Sequence, residues 1–381
     1  MKVLFVESYP HVIMGQQRTL LALLKASKEK GVDPVVACTA EGIYTDKLRE
    51  EGYSVEIFSY PDTLQVYGGE IYRYGLFKKC KAYLQIFSYV LDIKKKLKDL
   101  KVDAVYCNDM RGILTVGVAA KLAGIPVITW DKLDKPHGWL DWVQLPLVNK
   151  NLVISDSVRV KYPSFQNKLF DRRITKVHDG AYIDVIDNAS SLRTELGFSD
   201  DDVVIAIVGT ITHRKGHDRL FAILSDLLDY NNKVKVLVVG DIADKETDAQ
   251  YRDQLPLFNH PSVTKLGYRD DIPNIMQSID ILCVPSRNEG TPLVIMEAMA
   301  AYKPVVGADA GGIAEVIEHE NTGFVFEGDN REQFLQYLKD LCDSPELVTK
   351  MGLLGRKRVE EKFDRYKQLN FAVDEIKKLT Y

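Results

Sequence analysis

The chain has 381 residues, of which 46% are apolar and 27% charged, the balance of a globular protein with material for two cores at roughly 100–200 residues per domain. These figures exclude collagen, coiled coil and disorder. Fifty basic against 54 acidic side chains leave a net charge of −4, so no overall cationic field is available to hold nucleic acid, and any anion site must be local.

Taken in chain order, KVLFV is followed by a helix around TLLALL that ends near Gly31, then PVVACT, a second helix and SVEIF. This is a βαβα rhythm, and it implies a parallel sheet. The opening MKVLFVESYP is too short and too polar at Glu7 for a signal peptide, and no stretch reaches 18 apolar residues, so a membrane-spanning helix is not expected. The five cysteines form no C-x-x-C and mostly interrupt apolar runs, which fits free thiols in a reducing cytoplasm. No G-x-G-x-x-G follows the first strand, which argues against a dinucleotide-dependent dehydrogenase.

Residues 72–101 come next, with nine basic side chains against two acidic and with Tyr, Phe and Leu interleaved. Basic side chains with aromatic anchors suit peripheral contact with an anionic membrane. The plainer reading is a solvated helix face over a buried apolar stripe. Nucleic acid is a poorer partner, because no binding module surrounds the patch.

The rhythm resumes with DAVYCN, the helix ILTVGVAAKLAG, PVITW and LVISD. It starts afresh at DDDVVIAIVG and runs through KVKVLVVG, ILCVPS, KPVVGA and TGFVFE. Each strand run is apolar on both faces, as helix-covered sheets require. The expected fold is therefore α/β: two Rossmann-like, doubly wound domains with a connector near 178–195. In such sheets the ligand lies beyond the carboxyl ends of the strands.

The segment after ILCVPS is the most informative. A polar loop leads through Glu289, Gly290, Thr291 and Pro292 into the helical run LVIMEAMA. Thr291 suits the N-cap and Pro292 the first helical position, so the amides of Leu293 and Val294 would face an anion such as a diphosphate. Glu289 precedes the helix and Glu297 lies within it, so an extended ligand could offer a hydroxyl-bearing ring to each carboxylate. A nucleotide sugar has that layout. Alternatively Glu289 is a loop charge and Glu297 a solvated helix residue, although its apolar neighbours make solvation harder to defend.

The pattern from Glu289 to Glu297, followed by EAMA, KPVV, GGIAEVI and NTGFVF, resembles the retaining nucleotide-sugar glycosyltransferases of family 4, which have the GT-B fold. The resemblance runs over nearly the whole chain and is densest from about 178 to 345. It implies a GT-B fold with an N-terminal acceptor-binding domain, 1–178, rejoined by a C-terminal helix, 365–381. The donor-binding domain would be 179–364, facing the first across an interdomain cleft.

In the resembled family the loop after IAIVG reads G-R and then K-G, and its cations hold the donor diphosphate. Gly209, Lys215 and Gly216 match, whereas Thr210 replaces the arginine, which leaves Arg214 to supply the second charge. Otherwise Arg214 and Lys215 solvate a turn. The resemblance also places Gly240, Asp241, Tyr268 and Arg269 beside the nucleotide. Tyr268 could equally be a core aromatic, and Arg269 a partner of Asp270 or Asp271.

On the acceptor side it points to the loop IMGQQR, with Gly15 kept and Met14 in the place of a second glycine. Gln16 and Gln17 become candidate hydroxyl ligands and Arg18 a phosphate contact, unless Gly15 is simply a turn. Where relatives carry a histidine after PVITW, this chain has Trp130 and Asp131, with His137 nearby, so Asp131 or His137 would orient the acceptor. His137 read plainly is a surface residue.

The implied reaction is retaining transfer of a sugar from a UDP- or GDP-sugar to a glycan or lipid-linked acceptor in bacterial surface-glycan synthesis, with no cofactor and no metal. Lys215 and Arg214 would stabilise the leaving diphosphate, Glu289 would hold sugar hydroxyls and Glu297 the ribose. A nucleotide-sugar epimerase, a phosphorylase and a non-catalytic nucleotide-sugar-binding partner are the competing readings. The expected location is cytoplasmic, peripheral at the inner face of the membrane.

Overall fold

The computed structural model describes residues 1–65, 75–133, 136, 138–242 and 246–380. The chain divides into two compact units: Met1–Ile154 with Val158–Val177 and Leu369–Tyr381, and Ser155–Ser157 with His178–Gln368.

The first unit holds a seven-stranded parallel sheet of β1 (Lys2–Glu7), β2 (Asp33–Cys38), β3 (Ser54–Ile57), β4 (Ala104–Cys107), β5 (Val127–Asp131), β6 (Lys150–Val153) and β7 (Ile174–Lys176). Its spatial order is β3-β2-β1-β4-β5-β6-β7. Successive side chains of β1 go to opposite layers: Val3 and Phe5 pack with the helix Gly15–Glu29, while Leu4 and Val6 pack with the helix Leu76–Leu100. Both layers are buried, which is why the strand reads as a continuous apolar run. The last helix, Arg365–Lys377, seals the first layer with Leu369, Ala372, Val373 and Ile376. Lys150 meets Glu375 at 2.6 Å and Lys30 meets Asp374 at 2.5 Å along it.

The second unit repeats the plan with β8 (Val203–Val208), β9 (Val234–Val239), β10 (Val263–Gly267), β11 (Ile281–Val284), β12 (Val305–Ala308) and β13 (Gly323–Phe326) in the order β10-β9-β8-β11-β12-β13. Val204 and Ala206 face one core and Ile205 and Ile207 the other. The stretch 178–195, expected as a connector, is instead part of this unit. Ile183–Asp187 is helical, and Ala181 and Ile186 lie in the core, because the apolar residues there have a helix and a sheet face to bury against.

Each sheet changes direction once, between β1 and β4 in the first unit and between β8 and β11 in the second. In doubly wound sheets such points are where ligands bind, in the crevice beyond the carboxyl ends of the strands.

Candidate functional site

At the switch point of the second unit, the loop after β8 runs through Gly209 and Thr210 to a short turn, His213–Lys215, and then Gly216 opens the helix His217–Tyr230. Gly216 has φ +73°, and a Cβ there would lie 2.0 Å from the Pro285 carbonyl oxygen. Only glycine lets this loop press against the one after β11.

That contact brings the charges together. Lys215 Nζ is 2.6 Å from Glu289 Oε1, and Arg214 Nη1 is 3.1 Å from the same oxygen. The Ser286 hydroxyl donates to it as well, at 3.1 Å. Glu289 is only 8% exposed, so its charge has three donors to replace lost water. The Glu289 carbonyl accepts from the Gly312 amide at 2.9 Å, and a Cβ on Gly312 would meet the Gly290 oxygen at 1.9 Å. The GG turn thus clamps the loop from below.

The helix after this loop begins one residue later than the sequence suggests. It spans Leu293–Ala300 with Pro292 at the N-cap in an extended conformation, ψ 116°. Thr291 is not the cap: its hydroxyl donates to the Gly290 carbonyl at 2.8 Å instead of accepting from an amide of the helix start, and the helix begins only at Leu293. The amides of Leu293 and Val294 have no acceptor among the described residues, so the helix start still presents free donors. Glu297 lies one turn in, partly buried, and burial raises its pKa to about 7. No donor among the described residues reaches its carboxylate.

Gly209, Thr210, Gly240 and Asp241 flank this cluster. A Cβ on Gly209 would sit 3.5 Å from Lys215 Nζ, and one on Gly240 would lie 2.1 Å from the Gly209 oxygen. The Asp241 carbonyl accepts from the Ile211 amide at 2.9 Å, while Thr210 is exposed. Tyr268 is 67% exposed, which removes the core-aromatic reading. Arg269 chelates Asp271 through two bonds of 2.7 and 2.6 Å, the local ion pair that was the alternative for it.

A supporting cluster was not read from the sequence. Arg287 makes a bidentate pair with Asp218 at 2.8 and 2.7 Å and donates to the His213 carbonyl at 2.8 Å, while its amide donates to the Arg214 carbonyl at 2.8 Å. Tyr251 completes it with a 2.5 Å bond to Asp218. Burial alone would raise the Asp218 pKa, but the bonds from Arg287 and Tyr251 outweigh it and hold the value at about 2. Behind them His217 is fully buried, and burial, then the Lys215 charge, lowers its pKa to about 4. Arg287 therefore fixes the backbone from which Arg214 and Lys215 project.

At the first unit's switch point the chemistry differs. Glu7, at the end of β1, is fully buried and accepts from the Tyr9 amide at 2.8 Å, Gln17 Nε2 at 3.2 Å and Asn108 Nδ2 at 2.6 Å. Asp109, after β4, accepts from the Ser8 hydroxyl at 2.8 Å and the Ser8 amide at 3.0 Å. Burial, then the Asp109 charge, raises the Glu7 pKa to about 7.

Two acceptor-side candidates are engaged in this scaffold. Gln17 is 2% exposed and also caps its helix through the Met14 amide at 3.1 Å, so it is a structural residue. Gln16 donates to the Asn108 carbonyl at 2.9 Å, and Gly15 is the first residue of the helix. Asp131 ends β5 with its carboxylate on Lys161 at 2.7 Å, on Gln144 at 3.2 Å and on the Tyr162 hydroxyl. Its role as acceptor-orienting residue would have to share those partners. Trp130 is buried, with its indole on the Val177 carbonyl at 3.1 Å. His137 lies outside the described residues. Among the described residues no group of three or more His, Cys, Asp or Glu is gathered to hold a metal ion.

Residues 189–358 match the family model of glycosyl transferases group 1. The chain is 25% identical over 399 aligned positions to the UDP-Gal:alpha-D-GlcNAc-diphosphoundecaprenol alpha-1,3-galactosyltransferase of Escherichia coli, covering 99% of this chain and 96% of that one. A glycosyltransferase from Rickettsia africae superposes with a TM-score of 0.80 at 20% identity, over 99% of this chain and 98% of that one. HepE of Anabaena, in complex with UDP, gives 0.79 at 21% over 99% and 100%. Two parallel Rossmann-like sheets, the charged loop pair at the second switch point and these matches together identify the chain as a glycosyltransferase of the GT-B fold, with a glycosyl transferases group 1 domain in residues 189–358.

Proposed function

We propose that the protein is a retaining, family 4 hexosyltransferase that breaks the bond between the anomeric carbon and the diphosphate of a nucleotide sugar and passes the sugar to an acceptor hydroxyl. The observation that carries this reading is the convergence of Lys215, Arg214 and Glu289 beside the free amides of Leu293 and Val294. Cations and amides fixed on rigid loops stabilise a departing diphosphate without reorganising, and the loss of one such group commonly costs about 10²–10³ in rate. Lys215 retains donors beyond its bond to Glu289, so it can bridge carboxylate and phosphate.

Glu289 orients those cations and accepts from sugar hydroxyls, and Glu297 accepts from the ribose. The acceptor hydroxyl proton passes to the leaving phosphate oxygen as the new glycosidic bond forms, so no resident cofactor or metal is called for. The Escherichia coli relative is named for UDP-Gal and a diphosphoundecaprenol acceptor, and the Anabaena structures hold UDP and UDP-glucose. A UDP-hexose and a lipid-linked glycan acceptor are therefore the substrates we assign, and the acceptor would bring the protein to the inner face of a membrane, where stretch 72–101 would make contact.

Incubation with labelled UDP-hexoses, with and without diphospholipid-linked saccharides, tests the reading. Label should move only when acceptor is present, with the anomeric configuration kept. Sugar conversion without acceptor would instead show an epimerase, and binding without turnover a non-catalytic partner.

A further inference from the structure

The helix Leu76–Leu100 has two apolar faces. Ala82, Tyr89, Val90, Ile93 and Leu97 are buried against the first unit's sheet. On the opposite side Phe77, Leu84, Phe87 and Leu91 are 92%, 69%, 60% and 43% exposed. At 100° per residue these four fall within one stripe directed away from the core, about 20 Å long at ~1.5 Å per residue. A helix solvated on its outer face carries polar residues there, so a second apolar face calls for cover. The stripe ends where lysines begin: Lys95 and Lys98 continue the same line over the last two turns, with Lys94 beside them. Lys96 is turned away, over the Phe58 ring at 5.2 Å. The neighbouring helix Val118–Ala123 also exposes Leu122, at 52%, next to Lys121.

We propose that this outward face is a membrane-docking surface, in which Phe77, Leu84, Phe87 and Leu91 enter the headgroup and upper acyl region of an anionic bilayer while Lys94, Lys95 and Lys98 lie against its phosphates. Charge selects this occupant over a second copy of the chain. Two copies joined by the same patch would bring both lysine sets onto one interface with only Asp92 and Asp99 of each copy to answer them, whereas an anionic lipid surface answers every one. The helix is held by its inner face, so it docks without first having to fold, unlike a free amphipathic segment. The proposal deepens the lipid-linked-acceptor reading but does not depend on turnover.

The test is flotation of the full chain with vesicles of phosphatidylcholine alone or with three-tenths phosphatidylglycerol, at physiological salt. Binding is expected to the anionic vesicles only. Each lysine near the surface contributes about fivefold, so a Lys94→Gln, Lys95→Gln, Lys98→Gln variant should bind about 100-fold more weakly. A Leu84→Ser, Phe87→Ser, Leu91→Ser variant should lose a similar factor or more, since each buried apolar side chain contributes about tenfold. Both variants should keep the wild-type melting temperature and UDP-hexose affinity, because the replaced groups face outward. Equal vesicle binding by wild type and either variant, or no binding by wild type, overturns the proposal. So does a concentration-dependent dimer that the apolar variant abolishes, which would make the stripe an interface between copies. Failure of sugar transfer alongside normal flotation would count against the proposed reaction and leave the docking surface standing.

Discussion

Glu297 offers a test that separates a nucleotide site from a solvated helix. Its carboxyl is partly buried with no donor among the described residues, and burial raises its pKa to about 7. In the free protein roughly a tenth is ionised at pH 6 and roughly nine-tenths at pH 8. If ribose hydroxyls donate to the carboxylate, only the ionised form binds well, so UDP-hexose affinity should improve about tenfold from pH 6 to pH 8. The intact nucleotide sugar is the right ligand because its diphosphate diester does not titrate in this range, whereas the terminal phosphate of free UDP does. Isothermal titration in two buffers of different ionisation heat should also register proton release near pH 7. Glu297→Gln should remove both the slope and the release. The sign for stability runs the opposite way. A folded-state value raised above the unfolded 4.5 stabilises below pH 4.5, and that contribution is lost as pH rises through 7, to at most about 3 kcal/mol. The wild type should thus lose melting temperature over this window more steeply than the variant. Donor affinity equally flat with pH in wild type and Glu297→Gln would refute the assignment.

Lys215→Ala and Glu289→Ala should each lower the transfer rate about 10²–10³-fold with melting behaviour nearly unchanged, measured as initial rates at saturating donor and by calorimetry. Full activity in either would remove the pair from the site. Arg287→Ala should weaken donor affinity and rate together by freeing the turn His213–Lys215, and Arg287→Lys should not restore them, since one ammonium cannot reproduce the bidentate bond to Asp218. The Asp218 value of about 2 adds that the stability from this cluster is present above pH 3.8 and is lost as pH falls through 2, a loss the Arg287→Ala variant, left with the Tyr251 bond, should show only in part. Gly312→Ala, whose Cβ would overlap the Gly290 oxygen, should cost about 3 kcal/mol or more in urea unfolding or displace the Glu289 loop and abolish transfer.

The strands were legible because burial on both faces leaves a plain signature: VVIAIV reads as a buried strand, and its alternate residues do go to two cores. The charged loops were legible because doubly wound sheets place ligands after strands, so Lys215 and Glu289 could be expected to converge although 74 positions separate them. What escaped depends on partners that sequence does not order. Gln17 looks like a free amide beside Gly15, yet it caps its own helix, and Met14 at the cap carries none of the usual Ser, Thr or Asp signal. Arg287 looks like a loop charge until Asp218 is seen opposite it. Thr291 fits the N-cap by residue type, but its hydroxyl is turned to the Gly290 carbonyl and the helix begins only at Leu293. In the stretch 76–100 the interleaved apolar residues do not say which of them meet the sheet and which stay exposed.

The two switch points show how one topology supports two chemistries. In each unit the loops after the first strand and after its crossover neighbour meet beyond the sheet. In the second unit they gather two cations around one carboxylate at a helix start with free amides, a local excess of positive charge in a chain that is negative overall. In the first they gather two carboxylates, Glu7 and Asp109, whose donors are hydroxyl, amide and backbone groups, and burial raises the pKa of both. Under the proposed reaction a diphosphate would be stabilised at the former and repelled by carboxylates at the latter, whereas a neutral, hydroxyl-bearing ligand would meet no such penalty. The charge asymmetry, more than the shared fold, would under that reaction place the diphosphate at the second unit and leave the first for the acceptor.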